Sequence, residues 1–172
     1  MRRKAPAGGK RSQSRLPLVK VISGGQTGVD RAALDAALLA GLTISGWCPR
    51  GRRAEDGPIS SRYALHETPS PGYAERTRWN VRDADATLVL TAGPPTGGTS
   101  LTCAAARIQQ RPYLVIDSRV TATDDAIDMI RTWIEHVGIQ VLNIAGPRES
   151  TSPGMYDWAR SVLTQLFVSH SS

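Results

Sequence analysis

From residue 18 onward, short apolar runs alternate with stretches whose apolar residues recur every three or four positions. Residues 18–23 read as a buried strand that ends at Gly24-Gly25. The spacing of Ala33, Leu34, Ala37 and Leu38 predicts a helix over 28–40, stopped by Gly41. A second strand is expected over 43–48. The segment 49–68 that follows is long, charged and turn-rich, as functional loops are. The pattern then predicts a helix over 73–82, a strand over 86–91 and a glycine-rich turn over 92–100. A helix over 100–110 and a strand over 113–117 come next. Apolar residues at 127, 130, 134 and 137 form one stripe of a helix over 124–137. A last strand over 140–145 and a helix over 155–167 close the chain.

Strands separated by helices of this length imply right-handed crossovers. The expected fold is α/β: a single Rossmann-like, doubly wound domain over 18–172, with a mostly parallel sheet and helices on both faces. No repeat or internal linker interrupts it.

Charge changes the picture only at the start of the chain. The formal net charge is +6, from 21 Lys plus Arg and 15 Asp plus Glu. Arg2, Arg3, Lys4, Lys10, Arg11 and Arg15 all fall within residues 1–17, where there is no acid. Without these six the remaining domain is neutral, so the basic excess belongs to a Gly-, Pro- and Ser-containing tail that lacks apolar residues to pack. This location argues against nucleic acid as the domain's partner. No apolar run is long enough to cross a bilayer and no signal-peptide pattern is present, so a cytoplasmic protein is expected. Cys48 and Cys103 stand in no metal-binding or CxxC spacing and are expected to be reduced thiols.

In an open parallel sheet, ligands bind beyond the carboxyl ends of the strands. Three loops leave such ends: 24–31, 93–100 and 146–150. In the first, Gly24, Gly25 and Gly28 let the backbone turn tightly and approach a ligand, with Gln26 and Thr27 between them. The helix start that follows suits an oxyanion. The loop is neither a Walker A sequence nor a GxGxxG fingerprint. It also reads without any ligand, as a capping box of Thr27 with Asp30 and a surface pair of Arg31 with Asp35. Gly97, Gly98, Thr99 and Ser100 form a second anion-friendly helix start, and the two can share one pocket if their strands are neighbours. Arg50 and Arg52 after the second strand, Arg76 and Asn80 on a helix, and Arg148 after the last strand add recognition of a multiply anionic ligand. His66, His136 and His170 are scattered, and neither a zinc spacing nor a GxSxG elbow is present. No catalytic residues are assigned, and no metal ligands.

These loops carry a family resemblance. The string from Ile22 through Ser23-Gly24-Gly25-Gln26-Thr27-Gly28-Val29-Asp30-Arg31 to Asp35 resembles the opening of the molybdenum carrier family. So do Gly46-Trp47-Cys48-Pro49-Arg50-Gly51-Arg52-Arg53-Ala54-Glu55-Asp56-Gly57, Gly97-Gly98-Thr99, and the stretch from Asn143 to Ser150. The resemblance implies a Rossmann-like homo-oligomer, dimer or tetramer. Such a protein holds molybdenum cofactor (molybdopterin) or molybdate and passes it to molybdoenzymes. It assigns ligand contacts to 24–31, Arg50, Arg52 and 97–100, with Asn143 and Arg148 behind them. Two alternatives stay open within the wider superfamily. One is a nucleotide-binding sensor. The other is a nucleoside-monophosphate phosphoribohydrolase, whose PGGxGTxxE loop the turn at Gly97 is similar to. In that loop the glutamate position is Thr102 here, which argues against an enzyme.

Overall fold

A computed structural model of the chain describes residues 15–168. Residues 1–14, most of the basic stretch set apart as a tail, lie outside them. Leu16 is only 2% exposed and belongs to the main core, so packing begins two residues before the first apolar run.

Five strands form the central sheet: β1 (Lys20–Ile22), β2 (Thr43–Ser45), β7 (Ala86–Thr91), β8 (Tyr113–Asp117) and β9 (Val141–Ala145). Four two-residue strands lie between β2 and β7: β3 (Trp47–Cys48), β4 (Arg53–Ala54), β5 (Gly57–Pro58) and β6 (His66–Glu67). The helices are α1 (Val29–Leu39), α2 (Tyr73–Arg82), α3 (Gly97–Ile108), α4 (Thr123–Val137) and α5 (Met155–Val168). The sheet order is β2-β1-β9-β7-β8, and every pairing in it is parallel. Counted from β9, this becomes 3-2-1-4-5, the doubly wound order cut and rejoined one strand later. Both β1 and β7 therefore flank β9, and three strand exits stand side by side.

All six residues of β7 are buried, as in a strand covered on both faces. Ala86, Leu88 and Leu90 join the main core, to which α1, α4 and α5 contribute Leu34, Ile130 and Leu163 among others. Strand alternation turns Thr87, Val89 and Thr91 to the opposite face. A smaller cluster of Val81, Ala105 and Ala106 joins α2 to α3. In β9, Leu142 and Ile144 enter the main core while Asn143 points the other way, where its Nδ2 donates to Thr87 Oγ1 at 3.2 Å. One face of the sheet is thus greasy throughout. The other carries buried polar groups that lead toward the strand ends.

Two expectations shift in detail. The strand expected over 43–48 breaks at Gly46, whose φ of 141° and close approach to the Ser23 carbonyl leave no room for a side chain. Beyond it, β3 leaves the sheet and pairs in parallel with β6, Trp47 opposite His66. The long segment after β3 is partly ordered as a β4–β5 antiparallel pair. Helix α3 starts at Gly97, three residues earlier than its apolar pattern shows, because its first turn, Gly97-Gly98-Thr99-Ser100, carries no apolar side chain.

Candidate functional site

Beyond the carboxyl ends of β1, β9 and β7 lies a cleft of about 280 Å³. Gly24, Gln26 and Asp30 line it from the β1 exit, and Thr96, Gly97, Gly98, Thr99 and Thr102 from the start of α3. Arg76, Thr77 and Asn80 enter from α2; Asn143, Ala145, Gly146, Pro147, Arg148, Ser150 and Thr151 come from β9 and its exit. In an open α/β sheet this is where the strand order reverses and ligands bind. The two glycine-rich turns do meet at one cavity.

The inner wall is built by Gln26, Asp30 and Arg76. Gln26 is 5% exposed, and its Oε1 accepts the N–H groups of Thr27 at 3.0 Å and Glu55 at 2.9 Å. These two donors fix the amide's orientation and leave Nε2 buried with no hydrogen-bond partner. Arg76 Nη1 donates to Asp30 Oδ2 at 3.1 Å, and the same oxygen accepts the Gln26 N–H at 3.3 Å. Arg76 Nε is likewise buried without a partner. A Cβ at position 24 would overlap the Arg76 guanidinium, so only glycine lets that side chain lie across the loop. Burial pushes the Asp30 carboxyl above the usual range, against the opposing pull of Arg76. Each buried donor left unpaired costs about 1–3 kcal/mol. Both donors belong to residues that line the cleft.

The opposite side is bare. Helix α3 has Thr96 as its N-cap residue with no side-chain capping bond, and no acid in its first turn. The Thr99 and Ser100 N–H groups reach the Thr96 carbonyl at 3.0 and 3.2 Å. Among the described residues no bond is made by those of Gly97 and Gly98, and a Cβ at either glycine would meet nothing within 4 Å. Free N–H groups and the positive helix end suit an anion here. The Thr102 hydroxyl is committed to the Gly98 carbonyl at 3.0 Å. Toward the rim, the Tyr73 ring is flanked by the guanidinium groups of Arg76 and Arg148, 5.5 and 5.6 Å from its centroid.

Several residues expected at the ligand are occupied elsewhere. The capping box does not form: the N-cap of α1 is Gly28, and Asp30 turns to Arg76 instead of back to Thr27. The Thr27 hydroxyl donates to Glu55 and accepts the Glu149 N–H at 3.2 Å. Arg31 does not pair with Asp35. It forms a two-pronged bond to Asp56 and donates to the Gly25 carbonyl. Asp35 accepts Arg62 at 2.8 Å and the Tyr63 and Tyr156 hydroxyls at 2.7 and 2.6 Å; burial and that carboxylate push Tyr63 up to about 12. Arg52 spends its guanidinium on the carbonyls of Ile59, Ser60, Tyr63 and Leu65, which staples the loop rather than lining the cleft. Arg50 and Ser100 are exposed and outside the cleft lining. Gly25 abuts Ile59 and Leu65, and Gly28 abuts the main chain at Pro147 and Glu149. Asn80 reaches the cleft but holds the Trp47 main chain through bonds of 2.7 and 3.0 Å.

Glu55 falls within the Gly46–Gly57 motif, which assigns it no role. It accepts from the Thr27 and Ser150 hydroxyls and the Ser150 N–H, and lies 3.9 Å from Arg148. Burial acts to raise its pKa, but the bonds from Ser150 and Thr27 outweigh it and hold the carboxylate below the usual range. One side chain from the long loop thereby ties the β1 exit to the β9 exit. Its partners lie 28 and 95 positions away, so no local pattern marks it.

An all-parallel open sheet with a cleft at its reversal point defines a Rossmann-like α/β protein. Residues 21–167 match the model of the circularly permutated YpsA SLOG family, and the chain belongs to that family. The permutation is visible in the sheet, where β9 takes the first strand's central place. A solved structure from Syntrophus aciditrophicus SB, described as a putative molybdenum carrier protein, is 41% identical. The match covers 90% of this chain and 98% of that one, with a TM-score of 0.87. It agrees with the family resemblance of the sequence motifs. Among curated proteins, none matches the chain.

Proposed function

We propose that this protein is a carrier that holds a molybdenum-containing anion, molybdenum cofactor or molybdate, in the cleft and passes it to molybdoenzymes. The observation that carries this reading is the pair of unpartnered buried donors, Gln26 Nε2 and Arg76 Nε, on residues that line a cleft whose other side is an uncapped helix start. The similarity to a structure described as a molybdenum carrier supplies the metal. Among the described residues no group of three His, Cys, Asp or Glu side chains is placed to hold a metal ion. Neither cysteine lines the cleft, and burial raises the pKa of both thiols. The cargo is therefore gripped through oxygen, phosphate and ring atoms rather than by soft ligands to the metal. Thr102, standing where related hydrolases place a glutamate, supports a binding role without catalysis. No helix among the described residues is long and apolar enough to cross a membrane, and the proposal is of a cytoplasmic homo-oligomer, dimer or tetramer.

The test is to purify the protein and identify what it carries, by elemental analysis for molybdenum and mass spectrometry of released small molecules. Molybdenum with a pterin at near-stoichiometric occupancy is the expected result. Molybdenum alone would narrow the cargo to molybdate. A bound nucleotide without metal would overturn the carrier in favour of a nucleotide sensor.

A further inference from the structure

The two sides of the cleft differ in what they can accept. The α3 side offers free N–H groups with no acid in the first turn, a place for negative charge. The inner wall is mixed. Gln26 Nε2 and Arg76 Nε are donors without partners, but Asp30 stands between their chains as an acceptor. Both protein bonds to Asp30 fall on Oδ2, from Arg76 and from the Gln26 N–H, and none falls on Oδ1. Gln26 is 5% and Asp30 4% exposed, so whatever meets them must do so away from bulk water. An oxyanion pressed against this wall would satisfy the donors and be repelled by the carboxylate, a costly arrangement at low dielectric. A group carrying N–H donors beside a carbonyl acceptor satisfies both.

We propose that the inner wall reads the edge of a 2-amino-4-oxopyrimidine ring, the edge shared by pterins and guanine, while the α3 start takes the ligand's anionic tail. The ring N–H and the 2-amino group donate to Asp30, and the oxo group accepts from Gln26 Nε2. Arg76 holds Asp30 in place through Nη1 and supplies Nε as a further donor. The specificity-determining residue is Asp30, which selects a ring-bearing cargo over bare molybdate. This deepens the carrier reading and rests on its choice of cleft.

The experiment is calorimetric titration of the full chain with matched probes. These are pterin against lumazine, guanosine 5′-monophosphate against inosine 5′-monophosphate, and sodium molybdate. Lumazine and the inosine nucleotide lack the 2-amino donor. The wild type is expected to prefer the amino member of at least one pair by about tenfold to a hundredfold, the value of a hydrogen bond to a charged group. D30N should reduce that preference to within about twofold, with circular dichroism unchanged. Preference for the pterin pair identifies a pterin as the source of the edge, and preference for the guanosine pair a nucleotide. Equal affinity for both members of each pair in the wild type overturns the inference without any variant. Retained preference in D30N overturns Asp30's role. Molybdate binding with neither ring bound sinks the ring-edge inference and leaves a molybdate carrier standing. Ring discrimination in a protein that purifies without molybdenum does the reverse.

Discussion

The two glycine-rich helix starts look alike in sequence and differ in everything the fold does with them. The turn before α1 is filled from inside the protein: Gln26 Oε1, Thr27 and Arg31 are taken by Glu55 and Asp56 from the long loop, and Gly28 backs onto the β9 exit. The turn before α3 receives no such contacts, and its first two glycines face open space. One turn has become a wall and the other a mouth. Glycines at a strand exit therefore do not by themselves mark the ligand. In the first turn they make room for the protein, and in the second they leave room for something else.

Breaking the wall has the largest expected effect. Gly28 has φ 78° and ψ −131°, a region open essentially to glycine alone, and a Cβ there would collide with the Pro147 carbonyl and crowd the Glu149 nitrogen at 2.9 Å. Main-chain atoms cannot swing aside as a side-chain tip can. G28V is expected to destabilise the fold by about 3 kcal/mol or more, measured by urea unfolding. A loss below about 1 kcal/mol would mean that the α1 turn is as open as the α3 turn, and the contrast between them would fail.

The mouth predicts the opposite sign. Gly98 lies in the first turn of α3 outside the left-handed region, and its Cβ would meet nothing. Alanine there removes glycine's excess unfolded-state freedom, so G98A should stabilise the empty protein by about 0.4–1 kcal/mol. Gly98 lines the cleft, so ligand affinity should fall while the unfolding midpoint rises. Stabilisation with undiminished affinity would take the start of α3 out of the site.

The alternation of apolar runs and helical stripes made the order of main-sheet strands and helices legible, since each element buries a face of its own. The anion-friendly loops were legible too, because strand exits need glycine and helix starts need anions or caps. What the motifs could not show was the direction in which each polar side chain turns. Thr27 and Asp30 have capping-box spacing, yet Asp30 is drawn to Arg76, 46 positions away, because that guanidinium lies across Gly24. Arg52 sits in a motif rich in arginine, yet four carbonyls of its own loop consume its donors. The strand order hid as well: nothing local reveals that β9, the last strand, sits at the centre of the sheet.

The smallest expected effect is on the latch between wall and rim. Glu55 holds the β1 and β9 exits together only while it is ionised, accepting from Ser150 and Thr27 with Arg148 at 3.9 Å. Its folded pKa lies below the ordinary 4.5, so the folded protein binds fewer protons here than the unfolded chain. The resulting stability is complete above about pH 4.5 and is lost as the pH falls through the lower, folded value. E55Q removes this contribution at neutral pH and should leave a shallower fall of the unfolding midpoint on the acid side. Asp56 and Asp117 are also held low, by Arg31 and by main-chain N–H groups, so part of the acid limb must survive. Superimposable midpoint-against-pH curves for wild type and E55Q would show that Glu55 merely rests against the wall. The two exits would then owe their spacing to the close fit of Gly28 against Pro147 and to the Glu149 N–H held by the Thr27 hydroxyl.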